Sequence, residues 1–107
     1  MASTAEMFNN IGAQFNADAA AGLDVVFQFN INDNDTYHLI VKDGQCDVAT
    51  GEHQDPSVTL IMDEDTLKEI VSGELNGMQA FMAGRLRTEG DMMLATRLSD
   101  LFGLQTV

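Results

Sequence analysis

The sequence predicts an α+β domain of two layers, in which helices pack beside an antiparallel or mixed sheet. Apolar residues recur at helical spacing near the start, alternate with a period of two through the middle of the chain, and return to helical spacing in the last third. Because the 107 residues contain no internal repeat or linker, the whole chain, residues 1–107, is predicted to form a single domain.

The first element is predicted to be a helix. Ser3 and Glu6 have the spacing of a capping box at its start. Apolar side chains then recur every three or four residues, at Phe8, Ile11 and Phe15. This pattern predicts an amphipathic helix from about residue 4 to residue 16.

Three strands are predicted next, because the apolar period changes to two. The inward positions of the first two strands are Val25, Phe27, Phe29, Ile31, Tyr37, Leu39 and Val41. Asparagine and aspartate at positions 32–35 predict the turn between these strands. Asp43 and Gly44 predict a two-residue hairpin that leads into a third strand at residues 45–49.

A fourth strand and a helix are predicted to follow. The strand covers residues 57–62, with Val58, Leu60 and Met62 on one face. Asp63 is a suitable helix cap, and Gly73 is a suitable residue to end the helix.

The last third is predicted to hold two more helices around a short strand. Asn76 and Gln79 have the spacing of a capping arrangement for a helix that ends at Gly84. Residues 85–89 alternate as a fifth strand. Asp91 then caps a final helix, whose apolar stripe is Leu94, Leu98, Leu101 and Phe102.

The charge of the chain limits its partners. Seventeen acidic and five basic residues give a net charge of −12, which repels nucleic acid and anionic membrane surfaces. No apolar run approaches the ~18 residues of a membrane span, so stable membrane insertion is not expected. A single cysteine and an N-terminus without the features of a secretory signal predict a cytoplasmic location.

Residues that usually carry catalysis or bind metals are few. A calcium loop beginning at Asp33 would place His38 where glycine is required. His38, His53 and Cys46 lack the spacing of a zinc site, although a Cys–His pair formed in the fold remains open. The glycines match neither the dinucleotide nor the phosphate-loop pattern. The sequence therefore predicts a protein that is not an enzyme and has no cofactor or metal.

Two features of the last third have two interpretations each. Arg85 and Arg87 share one face of the predicted fifth strand, where they form either an anionic head-group site or a solvated face of an acidic protein. The methionines at positions 78, 82, 92 and 93 are either core residues or the wall of a binding site. Methionine suits both roles, because it is flexible and fills irregular gaps.

Residues 72–102, SGELNGMQAFMAGRLRTEGDMMLATRLSDLF, resemble the C-terminal half of the sterol carrier protein 2 family of small non-specific lipid-transfer domains. The elements that carry the resemblance are Gly73, Leu75, Asn76, Ala80-Phe81-Met82-Ala83-Gly84, Arg85-Leu86-Arg87, Gly90-Asp91 and the leucines up to Phe102. VVFQFNINDND and YHLIVKDGQCDV are similar to the family's first hairpins, and DPSVTLIMDEDTLKEIVSGEL is similar to its fourth strand and next helix. The resemblance covers about residues 4–104, with Gly77 in place of the usual proline.

The resemblance implies a mixed five-stranded sheet with helices over one face, enclosing an elongated apolar tunnel. A fatty acid, acyl-CoA, sterol or phospholipid would bind there without covalent chemistry. The lining that it implies is Leu60, Met62, Ile70, Val71, Met78, Phe81, Met82, Leu94, Leu98, Leu101 and Phe102. An empty, rigid tunnel of ~300 Å³ would cost roughly 7 kcal/mol, so the tunnel has to collapse, fill with solvent or carry lipid.

Two functions follow from these expectations. The first is a non-enzymatic lipid-binding or lipid-transfer protein. The second is an interaction module, in which the same apolar groove binds a partner protein of lipid metabolism or a second copy of the chain as a homodimer.

Overall fold

Five strands form one mixed sheet in the computed structural model, which describes residues 4–32 and 35–103. The strands are β1 (Asp24–Ile31), β2 (Thr36–Lys42), β3 (Gln45–Thr50), β4 (Val58–Met62) and β5 (Arg87–Gly90). Their order across the sheet is β3-β2-β1-β4-β5, with β1 and β4 parallel and all other neighbours antiparallel. The predicted α+β class and the five-stranded mixed sheet are confirmed.

Five helices are present in the described residues. They are α1 (Thr4–Ala13), α2 (Glu64–Ser72), α3 (Gly77–Met82), α4 (Met92–Thr96) and α5 (Leu98–Phe102). The predicted last helix is divided at Arg97, whose backbone N–H donates to the carbonyl of Leu94 at 3.0 Å in a tighter, three-residue turn. Within the described part of the chain, no helix is long and apolar enough to cross a membrane.

Aromatic contacts place α1 and α5 on the same face of the sheet. The ring of Phe8 in α1 stacks on Tyr37 at 4.5 Å between centroids and meets the edge of Phe29 at 5.1 Å. Phe102 in α5 packs against Phe27 at 6.1 Å. The core therefore lies between the inward side chains of β1 and β2 and the helices, as the alternation predicted.

The opposite face of β1 is also largely buried, which the alternation did not predict. Val26 and Gln28 point away from the helices and are nearly inaccessible to solvent. The Gln28 side chain accepts a hydrogen bond from the backbone N–H of His53 at 2.8 Å and donates one to Asn30 at 3.1 Å. On this face, β1 is covered by its neighbouring strands and by the loop before β4. Only the tertiary structure brings these segments together.

Local capping signals are confirmed where the structure describes them. Asp43 and Gly44 have φ values of 54° and 72°, as a two-residue hairpin with both central residues left-handed requires. Asn76 and Gln79 form a reciprocal capping box, with backbone-to-side-chain distances of 2.7 and 3.4 Å. The predicted cap at Ser3 and the central turn residues 33–34 lie outside the described residues.

Asp63 caps α2 and makes its stability depend on pH. Its carboxylate accepts a hydrogen bond from the backbone N–H of Thr66 at 2.8 Å. Hydrogen bonds from the side chain and backbone of Thr66 lower the pKa of Asp63. Because the folded-state pKa is below the unfolded one, the contribution of this charge to stability is present above the unfolded pKa and is lost as the pH falls through the folded pKa.

We expect Asp63→Asn to lower the free energy of unfolding near neutral pH by about 0.3–1 kcal/mol, since asparagine keeps the cap but loses the charge at the helix N-terminus. The difference from the wild type should shrink and disappear as the pH falls through the lowered pKa of Asp63. Urea unfolding at several pH values measures it. Glu52→Gln, which removes an exposed loop charge, is the control, and an equal pH-dependent loss in both variants would contradict the assignment to the cap.

Candidate functional site: an apolar cleft beside the fourth and fifth strands

An apolar cleft lies where α3 and α4 meet the β4–β5 edge of the sheet. Its volume is about 130 Å³. Its lining residues are Leu60, Gly77, Met78, Phe81, Leu86, Thr88, Met92, Ala95 and Thr96. None of these residues is charged, so the cleft is suited to a hydrocarbon group rather than to an ion.

Small residues let α3 form one wall of this cleft. The capping box at Asn76 starts the helix, and the only buried positions within it are Gly77 and Ala80. Met78 and Phe81 lie three residues apart and therefore share a face of the helix. Both side chains line the cleft and are about half exposed, at 47% each.

The opposite wall comes from the chain that enters β5. Leu86 is buried and lines the cleft together with Thr88, two residues further along the same face. The backbone N–H groups of Arg85 and Leu86 donate to the carbonyl of Ala80, at 2.9 and 3.2 Å. These bonds connect the end of α3 to the start of the wall.

Arg85 fastens this connection to α2. Its Nε donates to the Thr66 hydroxyl at 3.1 Å, and its guanidinium forms an ion pair with the Glu69 carboxylate. The hydrogen bond from Glu69 raises the pKa of Arg85, so the guanidinium remains charged. The hydrogen-bond donors of the Arg85 side chain are therefore directed at Thr66 and Glu69 rather than at the cleft.

This geometry corrects the predicted position of Arg85. The fifth strand begins at Arg87 rather than at residue 85, so Arg85 and Arg87 do not share a strand face. The reason is that the backbone N–H of Arg85 bonds to Ala80 of the preceding helix α3, and its side chain bonds to Thr66 and Glu69 of α2, which are distant in sequence. Arg87 lies in β5, opposite Ile61 of β4, and is exposed.

The rim of the cleft is apolar and open to solvent. Met78, Phe81 and Met92 both line the cleft and reach its surface, with Met92 48% exposed. Met82 and Met93 lie outside the lining and are 79% and 75% exposed. We call these five residues the rim patch. They are the large apolar side chains that are exposed in the described part of the chain.

The residues predicted to line a lipid site are divided among several places. Leu60, Met78 and Phe81 meet in the cleft. Val71 and Phe102 line a second, more polar cavity of about 220 Å³ beside α1. Met62, Ile70, Leu98 and Leu101 belong to the buried core, and Leu94 packs against it. Met82 is on the rim.

The elongated tunnel implied by the resemblance is not seen in the described residues. Side chains of α5, chiefly Leu98, Leu101 and Phe102, fill the space between the layers at its centre. The open space that remains beside β4 and β5 is the cleft, at the end of the sheet away from α1.

Six lining residues were not among the predicted ones: Gly77, Leu86, Thr88, Met92, Ala95 and Thr96. The period-two alternation could have found Leu86 and Thr88, because it places both on the face of the fifth strand opposite Arg87. Met92 belongs to the methionine-rich segment, but its side of α4 could not be assigned from a helix of five residues.

Residues that could carry other chemistry lie elsewhere. Burial, followed by the charge of Asp47, raises the pKa of Cys46 to about 11, so Cys46 stays a thiol. Cys46 pairs with Val41 in the sheet, three positions from the pairing of His38 with Ala49, or about 10 Å along the strand. The Nδ1 atom of His38 lies 2.8 Å from the carbonyl oxygen of Gly51. Among the described residues, no three His, Cys, Asp or Glu side chains are grouped to hold a metal ion.

Fold and site together define a class of protein: a small α+β domain with an uncharged cleft between two short helices and the edge of a mixed sheet. A sequence profile of the SCP-2 sterol transfer family matches residues 8–103. The chain belongs to this family. Its class is therefore that of lipid-binding and lipid-transfer domains.

Known proteins agree with this assignment. The chain is 30% identical over 99 residues to hydroxysteroid dehydrogenase-like protein 2 of Bos taurus, a match that covers 90% of this chain and 24% of that protein. The chain thus spans about a quarter of the length of the curated relatives that it matches first.

Two solved structures show the same fold. The sec-alkylsulfatase Pisa1 of Pseudomonas sp. superposes with a TM-score of 0.81 at 21% identity, covering 99% of this chain and 17% of that one. The palmitated SCP2L2 of Aedes aegypti superposes with a TM-score of 0.64 at 22% identity, covering 86% of this chain and 90% of that one.

Proposed function

We propose that this domain binds the hydrocarbon part of a lipid in the cleft and carries it without covalent chemistry. The observation that carries the proposal is the uncharged cleft with methionine and phenylalanine at its mouth. The palmitated structural neighbour supports it, because that domain has the same fold. Fatty acids, sterols, acyl-CoA and phospholipids all present the apolar group that such a cleft would hold.

The volume of the cleft implies that it widens when a lipid enters. At about 130 Å³ it is close to a cavity that takes a benzene ring, and well below the ~300 Å³ of the smallest ordinary ligand pockets. A closed, empty cavity of this size would cost about 3 kcal/mol, and a cleft that opens to solvent costs less, so a small domain can tolerate it. Widening requires movement of side chains at the mouth, and Met78 and Met92 are flexible enough to provide it.

The charges around the cleft favour lipids with little negative charge. The chain carries a net charge of −12, which opposes the entry of a polyanionic head group such as that of acyl-CoA. Arg85 is engaged by Glu69 and Thr66, and Arg87 lies on the face of β5 opposite the cleft lining, so we assign no head-group contact in the cleft to either arginine. We expect reversible affinity of roughly micromolar order, since association costs consume much of the gain from apolar burial.

Adjacent methionines at the start of α4 provide a matched test. Met92 lines the cleft and Met93 does not. Met92→Glu should weaken palmitate binding about tenfold or more, because it places an ionised carboxylate against the alkyl chain. Met93→Glu should bind palmitate as the wild type does. Both changes put an acid in the first turn of a helix, where it does not destabilise the fold.

Native mass spectrometry and displacement of a fluorescent fatty acid would measure this binding. Equal affinities of the two variants would contradict the placement of the lipid in the cleft. Measuring hexadecanol beside palmitate separates the effect on the chain from repulsion of the carboxylate, because hexadecanol is uncharged.

The interaction module remains the second candidate, and the exposed rim patch is the observation that favours it. A partner helix or a second copy of the chain would cover the same apolar residues. Native mass spectrometry distinguishes the two functions: a monomer that carries lipid supports binding and transfer, whereas a ligand-free dimer that resists salt supports the interaction module.

A further inference from the structure

The negative charge of the protein is unevenly distributed along the chain. Residues 75–94 contain two acidic residues, Glu89 and Asp91, and two arginines, Arg85 and Arg87, so this segment is neutral. The whole net charge of −12 therefore comes from the rest of the chain. The neutral segment is the one that forms α3, β5 and the start of α4 around the cleft.

The rim patch lies entirely within this neutral segment. Met78, Phe81, Met82, Met92 and Met93 are its members, and they are the large apolar residues exposed in the described part of the chain. The segment that carries the rim patch thus combines exposed apolar side chains with no net charge. Scattered exposed apolar residues need no explanation, but five in one neutral segment, three of them around one cleft, indicate an interaction surface.

We propose that the rim patch docks on the surface of a zwitterionic lipid bilayer, so that the cleft opens directly into the membrane. The proposal rests on the proposed function, because the docked surface surrounds the entrance for the lipid. Three rim residues, Met78, Phe81 and Met92, also line the cleft. A hydrocarbon chain that passes between them would move from the bilayer into the cleft without crossing water.

Charge selects the kind of bilayer. An anionic membrane repels a protein of net charge −12, and the repulsion falls off over a Debye length of about 10 Å at 0.1 M salt. A neutral apolar face can approach a zwitterionic surface without that penalty. The expected behaviour is therefore opposite to that of basic peripheral proteins, whose binding increases with anionic lipid.

Cosedimentation with lipid vesicles tests the docking surface, using the protein without cargo. The wild type should bind phosphatidylcholine vesicles at low salt, and less protein should bind when phosphatidylserine is added. Met93→Glu should reduce the binding about tenfold, because it places a charge in the apolar contact. Gln45→Glu is the matched control. It makes the same charge change at an exposed position of β3, at the far edge of the sheet, and should bind as the wild type does.

Three results would overturn the proposal. One is equal vesicle binding by Met93→Glu and the wild type, and another is stronger binding to vesicles that contain phosphatidylserine. The third is a wild type that ignores vesicles but forms a dimer that Met93→Glu dissociates, which would make the rim patch a protein interface.

Palmitate uptake in vesicle-free solution separates the two proposals. Met93→Glu should retain uptake, which also shows that the variant is folded. A wild type that takes up no lipid, while its vesicle binding depends on Met93, would refute the proposed function and leave the docking surface in place. Palmitate uptake that depends on Met92, in a protein that binds no vesicles, would refute the docking surface and leave the proposed function in place.

Discussion

Replacing Phe8 by alanine is expected to lower the free energy of unfolding by about 3–5 kcal/mol. Phe8 is fully buried, stacks on Tyr37 and meets the edge of Phe29, so it joins α1 to the centre of the sheet. Small domains have only about 5–15 kcal/mol of stability in total. The loss should therefore lower the melting temperature by more than 10 °C, at roughly 4–8 °C for each kcal/mol in a domain of this size.

Phe81→Ala is the matched control for this prediction. It removes the same side chain from α3, where Phe81 is 47% exposed and adjoins the cleft. We expect a loss of about 1 kcal/mol or less, because much of the ring is in water in the folded protein. Urea unfolding gives both values, and losses of equal size would show that α1 does not depend on the Phe8 contacts.

Gly90→Ala is expected to cost about 2–4 kcal/mol, combining backbone strain with a steric clash. Gly90 has a φ of 93°, a conformation that residues with a side chain rarely adopt. A Cβ atom at this position would lie 2.7 Å from the carbonyl oxygen of Ser57. Ser57 is itself fixed, since its backbone N–H donates to Val26 and its hydroxyl accepts from the Val26 N–H.

Gly51→Ala separates the two causes. Gly51 has a similar φ of 103°, but a Cβ atom there would have no neighbour within 4 Å. We expect this variant to lose only the strain, about 1–2 kcal/mol. Thermal unfolding of both variants measures the difference. If Gly51→Ala lost as much stability as Gly90→Ala, the close approach of β5 to Ser57 would have no energetic effect.

Local features of the fold could be predicted because their causes are local. The hairpin at Asp43-Gly44, the cap at Asp63 and the capping box at Asn76 each depend on residues within three positions of one another. The alternation in β1 and β2 likewise identified the side chains that face the helices, because a strand turns every second residue to the same side.

The residues that line the candidate site were predicted less completely than the local features, because they come from separate elements. Leu60, Met78 and Phe81 were expected in a lipid site and do line the cleft, whereas Ile70 and Leu101 are core residues. A hydrophobic stripe on a helix has the same appearance whether it faces another side chain or an open space. Which of the two it faces depends on how the short helices α3 and α4 lie against the sheet.

The sequence by itself determined the order of the elements, the single apolar layer between sheet and helices, and the acidic charge. Periodicity and capping depend on residues that are close in sequence, and the charge depends only on composition. Only the tertiary structure decided that Arg85 leaves the strand to bind Thr66 and Glu69, that β1 is buried on both faces, and that the cleft opens at the rim patch. These features arise from contacts between residues far apart in sequence. Their energies depend on distances in space, which no local pattern records.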